Sequence, residues 1–278
     1  MKCFCSEKVT LLQFHFRNLF FQMVSKNTIK LIKSLALKKN RVKQNLFLVE
    51  GDKNVSEVLE SQFSVENLLG TSAFLEANKS LLTKVKLVTE VTKTEIEEAS
   101  LLKNPQNSIA ICKLPKAKPF PEKIESDLCI YLDDIQDPGN LGTIIRICDW
   151  FGINQLFCSP KTADLFNPKV IQASMGSFSR VETWNTSFIP VADLAGRLGI
   201  PVLGAFLDGK NIYEQKLPKR AILVLGNEGN GISSEVENKV DQKIRIPEFN
   251  NNPTSAESLN VSVAAAIICS EFKRQNYI

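Results

Sequence analysis

The sequence LDDIQDPGNLGTIIRICDWFGI, residues 132–153, carries the strongest structural signal in this chain. Residues 137–140, DPGN, are typical of a turn, and the apolar residues from Leu141 onward predict a helix. Arg146 lies among isoleucines in this helix, so we expect a buried guanidinium that needs polar or anionic partners. A planar guanidinium suits phosphate recognition, which makes Arg146 a candidate functional residue.

Short apolar segments alternate with helical segments around this stretch. Near-continuous apolar strands separated by helices are typical of a parallel sheet covered on both faces, so we predict an α/β domain. Ligands bind such sheets at the carboxyl ends of the strands. The predicted strands are 129–132, 155–158, 180–183, 202–206, 221–225 and 243–246, and the last helix is predicted over 261–274.

Two further loops follow predicted strands. Residues 221–233, AILVLGNEGNGIS, run from an apolar strand into a loop with three glycines in six residues and Glu228 in its middle. Such a loop is either a flexible turn or a surface on which a ligand can lie close to the backbone. Residues 258–262, SLNVS, begin the last helix, and we expect either Ser258 or Asn260 to cap it.

Composition and missing motifs argue against several classes of protein. No G-x-G-x-x-G follows the first strand of the α/β domain, and no G-x-x-x-x-G-K-[ST] occurs, which disfavours dinucleotide-binding and P-loop proteins. One histidine, His15, and seven cysteines without a C-x-x-C pair indicate buried free thiols rather than a metal site. A net charge of +4 permits an anionic partner without requiring one.

Three motifs occur in a specific order after three predicted strands: N-x-G-x-x-x-R at 140–146, L-G-N-E-G-x-G-I at 225–232 and S-L-N-V-S-x-A-A at 258–265. With these motifs the chain resembles the SpoU/TrmH family of RNA ribose 2′-O-methyltransferases in the SPOUT superfamily. The segment QASMG at 172–176 also looks like the family's intervening segment. Upstream, LFLVEG at 46–51 is similar to the family's substrate-binding domain, which resembles ribosomal protein L30e.

The resemblance implies a C-terminal α/β domain with a deep trefoil knot, preceded by a small α/β L30e-like domain. It also implies a homodimer that transfers a methyl group from S-adenosylmethionine to a ribose 2′-hydroxyl, in ribosomal RNA before transfer RNA. From the composition we further expect a cytoplasmic protein that binds no metal and no membrane. By motif position, the implied catalytic residues are Arg146, Asn140, Glu228, Ser258 and Asn260. The implied cofactor contacts are Gly204, Gly226, Ile246 and Leu259.

The chemical role of Arg146 is open between a base and a positioning or electrostatic group. A guanidinium essentially does not lose its proton in proteins, so holding phosphate or stabilising alkoxide charge is easier to justify physically. Two alternatives remain, a non-catalytic RNA-binding protein of this fold and an α/β enzyme that acts on a small molecule. The intact motifs oppose the first alternative, and the missing phosphate-binding loops oppose the second.

Composition also predicts the domain boundaries. Residues 113–121, KLPKAKPFP, are typical of a linker. Within the second domain, the segment 248–257 is longer than the family's usual loop and lacks the glycine of that loop. A predicted basic helix from residue 26 carries cations that either face solvent or contact RNA phosphates, namely Lys26, Lys30, Lys33, Lys38, Lys39, Arg41 and Lys43. We predict an extension outside the fold at 1–22, an L30e-like RNA-binding domain at 23–114, a linker at 115–126 and a methyltransferase domain at 127–278.

Overall fold

A computed structural model of the protein describes residues 24–250 and 257–277, so the predicted extension at 1–22 lies outside the described residues. The chain divides into two compact units, Met1–Leu114 and Pro115–Ile278, which are the N-terminal and the C-terminal unit below. Within the described ranges, no helix combines the length and the apolar character needed to cross a membrane.

The N-terminal unit is a small mixed sheet with helices. Its strands are β1 Leu46–Glu50, β2 Val65–Gly70, β3 Val88–Glu90 and β4 Ser108–Lys113, in the order β1-β4-β2-β3. Strand β4 pairs antiparallel with β1 and β2, and β3 pairs parallel with β2. The α-helices are α1 Lys26–Ser34, α2 Lys38–Gln44, α3 Asp52–Glu60, α4 Ser72–Ala77 and α5 Lys93–Ala99, and a 3-10 helix spans Lys79–Lys84.

The end of β1 is fixed by a buried carboxyl group and a glycine. Glu50 is 4% exposed, and its Oε1 accepts hydrogen bonds from Ser100 Oγ at 2.5 Å and Leu101 N at 3.0 Å. Burial raises the pKa of this carboxyl. Gly51 adopts a φ of 89°, a conformation that favours glycine, and α3 begins directly after it. The LFLVEG segment therefore has a local structural reason for its sequence.

The predicted basic helix is two helices, α1 and α2, and one of its cations has a structural role. The Arg41 side chain is 2% exposed, and its Nη1 donates to the carbonyl oxygens of Leu35 at 2.8 Å and Ala36 at 2.9 Å. These carbonyls lie between the two helices, where helical hydrogen bonding is interrupted. Arg41 thus stabilises the break, and its prediction as part of a basic surface is wrong.

The C-terminal unit is built on a six-stranded sheet in which all neighbouring strands of the described residues pair in parallel. This confirms the predicted α/β class. The strands are β5 Leu128–Leu132, β6 Gln155–Cys158, β7 Glu182–Asn185, β8 Val202–Asn211, β9 Ala221–Leu225 and β10 Gln242–Arg245, in the order β10-β8-β9-β5-β6-β7. The α-helices are α6 Pro138–Trp150, α7 Pro168–Ser174, α8 Phe188–Leu198, α9 Ser234–Glu237 and α10 Val261–Tyr277, and a 3-10 helix spans Ser177–Ser179.

Four of the six strands differ from their predicted bounds. Strand β5 begins one residue earlier, at Leu128, and strand β10 is shifted by one residue, to Gln242–Arg245. Strand β7 begins two residues later than predicted, because the 3-10 helix before it ends with Arg180 N bonded to Ser177 O. Strand β8 is longer than predicted because it pairs twice. Its first residues pair with β9 and β10, and its last two pair again with β10 after a register shift, which leaves residues 205–209 outside the ladder. A second pairing of this kind is not visible in the apolar pattern of one segment.

The segment 115–126 contains no helix or strand, and its residues 119–124 pack on the rest of the C-terminal unit. Trp184 Nε1 donates to Pro119 O at 2.9 Å, and the Phe120 and Phe157 rings lie 5.9 Å apart. Ile124 is buried in the same core. A fragment of the C-terminal unit should therefore begin at residue 115, because a start at residue 126 would uncover these contacts.

The cysteines of the described residues are buried free thiols, namely Cys112, Cys129, Cys148, Cys158 and Cys269. Burial raises the pKa of the Cys129 and Cys269 thiols to about 12. Thiols with such a pKa are protonated and unreactive at neutral pH. The predicted buried character is confirmed for these five, whereas Cys3, Cys5 and His15 lie outside the described residues.

Candidate functional site

Asn140 is placed by the start of α6. Asp137 is the N-cap, and its Oδ1 accepts a hydrogen bond from Asn140 N at 2.8 Å. Pro138 occupies the first turn, where its missing N–H has no consequence, so the helix begins three residues earlier than predicted. The cap and the proline together fix the backbone from which the Asn140 side chain projects.

The side chains of Asn140, Glu228 and Asn260 form one hydrogen-bonded group, although they come from three separate segments of the chain. Asn140 Nδ2 donates to Glu228 Oε1 at 2.8 Å, and Asn260 Nδ2 donates to Asn140 Oδ1 at 2.9 Å. Each residue follows the carboxyl end of a strand or begins a helix there. The structure thus brings together three of the five catalytic residues that the resemblance implies.

The glycine-rich loop after β9, residues 226–231 and called the glycine loop below, folds back on itself. Asn227 N donates to Gly231 O and Gly231 N donates to Asn227 O, each at 2.9 Å. A Cβ atom added at Gly226 would lie 2.3 Å from Gly231 C and from Ile232 N. Glycine at 226 is therefore required by the loop's own backbone, and this reason is independent of any ligand.

Two aspartates after β5 tie this glycine loop to the start of α6. Asp133 is buried, and its Oδ2 accepts a hydrogen bond from Ser233 N at 2.7 Å. The Asp134 carbonyl oxygen accepts one from Asn227 Nδ2 at 2.8 Å, and Asp134 adopts a φ of 60°. Neither aspartate is among the predicted site residues, although both lie within residues 132–153. Their signal was two adjacent carboxylates directly after a buried strand.

The four implied cofactor contacts lie at or near the same edge of the sheet. Gly204 pairs with Val224 of β9 and with Lys243 of β10, and Gly226 follows the last residue of β9. Ile246 follows β10 and is partly buried, while Leu259 is 50% exposed. Because parallel strands end at a common edge, these residues border one region that Asn140 also reaches.

The expectation that Arg146 is buried is wrong. Its side chain is exposed and makes no hydrogen bond or ion pair within the described residues. The buried positions of α6 repeat at three- and four-residue intervals, and Arg146 falls between them. Six residues separate it from Asn140, which corresponds to about 9 Å along the helix axis and about 120° around it. Within one chain, Arg146 is therefore not part of the hydrogen-bonded group.

Ser258 is exposed, and the structure gives it no hydrogen bond within the described residues. The capping question is resolved in favour of Asn260, whose Oδ1 accepts hydrogen bonds from Ser262 N at 3.0 Å and Val263 N at 3.4 Å. No group of three or more metal-ligating side chains occurs in the part of the chain that the structure describes.

The sequence matches known proteins over both units. Residues 127–270 match the SpoU rRNA Methylase family, and residues 26–110 match the MRM3-like substrate binding domain. The chain is 31% identical over 239 residues to 23S rRNA (guanosine(2553)-2′-O)-methyltransferase RlmP of Bacillus subtilis, with 85% of this chain and 92% of the relative covered. It is 32% identical over 161 residues to 23S rRNA (guanosine-2′-O-)-methyltransferase RlmB of Neisseria meningitidis, with 55% and 61% covered.

Solved structures resemble the fold along most of the chain. A TrmH-family protein from Porphyromonas gingivalis superposes with a TM-score of 0.80 at 42% identity, covering 91% of this chain and 100% of that one. An AdoMet-bound rRNA methyltransferase from Sinorhizobium meliloti gives a TM-score of 0.78 at 26% identity, covering 90% and 95%. The resemblance seen in the motifs is confirmed: this chain belongs to the SpoU rRNA methylase family and carries an MRM3-like substrate-binding domain before its catalytic domain.

Proposed function

We propose that this protein is an S-adenosylmethionine-dependent methyltransferase that modifies a ribose 2′-hydroxyl, in ribosomal RNA ahead of transfer RNA. The observation that carries the proposal is the hydrogen-bonded group of Asn140, Glu228 and Asn260 beside the glycine loop. Two relatives, which are 31% and 32% identical to this chain, are named as 23S rRNA 2′-O-methyltransferases.

The edge of the sheet at the carboxyl ends of its strands has the chemistry that the cofactor requires. The loop that contains Gly226 exposes backbone, and the partly exposed side chains of Ile246 and Leu259 offer apolar surface for an adenine ring. When bound, S-adenosylmethionine supplies a methyl group on a positively charged sulfur, which is already activated for displacement. The protein's task is then to position the ribose hydroxyl and to take up its proton.

Arg146, Glu228 and Asn140 divide this task by their chemistry. Because guanidinium groups are poor bases, we assign Arg146 to phosphate or to developing negative charge and not to proton abstraction. Glu228 is the member of the hydrogen-bonded group whose side chain has the chemistry of a general base for a hydroxyl. Asn140 holds one oxygen of that carboxylate. Ser258, which is exposed at the same edge, is available to contact RNA.

The experiment that tests the function is methylation of total RNA from a strain that lacks the gene, followed by mapping of the modified ribose. A single 2′-O-methylated nucleotide in ribosomal RNA is the expected result. Modification of a transfer RNA would show that the substrate belongs to the second of the two proposed RNA classes. Binding of S-adenosylmethionine without transfer to any RNA would contradict catalysis and favour an RNA-binding protein of this fold.

The charge distribution indicates which unit captures RNA. Residues 1–114 contain 17 Lys and Arg against 11 Asp and Glu, whereas residues 115–278 contain 17 against 19. Residues 24–49 hold seven cations and no acidic residue. Five of these cations are exposed lysines with neither an ion pair nor a hydrogen bond within the described residues, namely Lys26, Lys30, Lys38, Lys39 and Lys43. We therefore place the main phosphate contacts on α1 and α2.

Replacing Lys38, Lys39 and Lys43 by alanine should weaken RNA binding and flatten its salt dependence. If all three contact phosphates, the slope of log affinity against log salt should fall by about 2 to 3, because each contact releases about 0.7 to 0.9 counterion. Filter binding across a salt series measures this. Alanine at three exposed lysines outside the basic segment, Lys84, Lys93 and Lys103, is the matched control. Equal slopes for the two variants would show that α2 does not bind phosphate.

A knotted catalytic unit, a homodimer and a cytoplasmic location are part of the proposal and rest on the family resemblance. Trp150 at the end of α6 is 84% exposed and Val263 of α10 is 47% exposed, as expected where helices pack on a second copy. A strand order in which β10 lies beside β8 is compatible with the threading that a knot requires. Sedimentation equilibrium distinguishes a dimer from a monomer.

A further inference from the structure

The first turn of α10 fixes the orientation of one site residue. Asn260 Oδ1 accepts hydrogen bonds from Ser262 N at 3.0 Å and from Ser262 Oγ at 2.6 Å. A backbone N–H can only donate, so the side-chain oxygen of Asn260, and not its nitrogen, must face the helix. The nitrogen, Nδ2, is consequently the atom that faces Asn140.

The orientation of the Asn260 amide determines which atoms of Asn140 and Glu228 face each other. Asn260 Nδ2 donates to Asn140 Oδ1 at 2.9 Å, so the oxygen of Asn140 is taken and its Nδ2 meets Glu228 Oε1 at 2.8 Å. A carboxylate can only accept, so it requires a donor at this position. If the Asn260 amide turned around, Asn140 would turn with it, and two oxygens would face each other at Glu228.

We propose that Ser262 is a positioning residue of the methyl-transfer site, acting through Asn260 and Asn140 on Glu228. The inference rests on the proposed function. Ser262 is 7% exposed, whereas Asn260 and Glu228 are exposed to water, which would let their side chains turn. The backbone N–H of Ser262 can only donate, so it selects this amide orientation, and the buried hydroxyl adds a second hydrogen bond to the same oxygen.

A kinetic test uses Ser262→Ala, which removes the hydroxyl donor and keeps the backbone N–H. We expect kcat for RNA methylation to fall about 5- to 10-fold, as for the loss of one hydrogen bond, with KM for RNA and cofactor unchanged. Ser262→Thr keeps a hydroxyl, so its kcat should stay near that of the wild type. Ser270→Ala, at an exposed serine of the same helix, should not change kcat. If Ser262→Ala lowers the melting temperature but leaves kcat unchanged well below it, the serine is only structural and the proposal is overturned.

A second test reads the orientation directly and needs no activity. The side-chain amide protons of Asn140 are followed by NMR in ¹⁵N-labelled protein. In the wild-type background, Glu228→Gln should shift them, because they donate to that carboxylate. In an Asn260→Asp background the helix keeps its cap, but Asn140 must turn its nitrogen to the carboxylate introduced at position 260. There, Glu228→Gln should leave the protons unmoved.

An equal shift in both backgrounds would overturn the proposed direction of the hydrogen bonds. The two tests also separate this inference from the proposed function. If the wild-type protein transfers no methyl group to RNA, the function fails, and the NMR comparison still decides how the amides are oriented.

Discussion

Replacing Arg146 by alanine should lower the single-turnover rate of RNA methylation by at least about 100-fold, which is typical of losing one charged group that stabilises a transition state. Affinity for S-adenosylmethionine should stay largely unchanged. The reason is geometric, since Arg146 is exposed on α6 about 9 Å beyond Asn140 along the helix axis, whereas the implied cofactor contacts lie at the strand ends. Transfer of labelled methyl to RNA and calorimetry with the cofactor measure the two quantities.

Arg146→Lys separates charge from shape. Lysine keeps the positive charge but loses the planar pair of donors, so the rate should remain well below that of the wild type if phosphate or alkoxide is held by both nitrogens. Arg197→Ala, at an exposed arginine of α8, is the matched control and should be neutral. A rate near wild type for Arg146→Ala would remove Arg146 from the catalytic set.

Gly226→Val should abolish detectable binding of S-adenosylmethionine while the rest of the protein stays folded. A side chain at this position has no room, because its Cβ would lie 2.3 Å from the backbone of Gly231 and Ile232. The loop must open to accept valine, and forced overpacking of this kind costs about 1 to 3 kcal/mol. Calorimetry in the presence of a chelator measures the binding, since no metal is expected to take part.

Gly229→Ala is the control for that experiment. An added Cβ at Gly229 would approach only Asn227 Oδ1, at 3.6 Å, which is an ordinary contact. We expect its cofactor affinity to match that of the wild type. If Gly226→Val binds the cofactor normally, the pocket does not lie at the glycine loop. If Gly229→Ala also loses binding, the loop needs flexibility and not just space at one position.

Several elements were predictable from local sequence because their signals are local. Strands β6 and β9 have the predicted bounds, since the turns on either side of a short apolar run determine where the strand begins and ends. The convergence of the three motifs was also predictable, because the carboxyl ends of parallel strands share one edge. The exposure of Arg146 could have been found from the buried positions Leu141, Ile144, Ile145 and Cys148, whose spacing excludes residue 146.

Other features depend on residues far apart in the chain. Arg41 looked like one more surface cation, and only the break between α1 and α2 shows that two carbonyl oxygens bind its guanidinium. Strand β8 looked short, because its second pairing depends on where β10 lies. Local residue patterns contain no information on such partners.

By itself, the sequence determined the α/β class, the parallel sheet, the family and the loops that hold the site. Only the tertiary structure decided how the site residues are joined. Asn140 meets Glu228 across 88 positions of sequence and Asn260 across 120, so their contacts exist only after the sheet has assembled. The direction of those hydrogen bonds depends on the cap of α10. The need for glycine at position 226 depends on the backbone of Gly231 and Ile232, which returns close to it. Periodicity and capping act over a few residues, whereas distances of about 3 Å between remote side chains are set by packing.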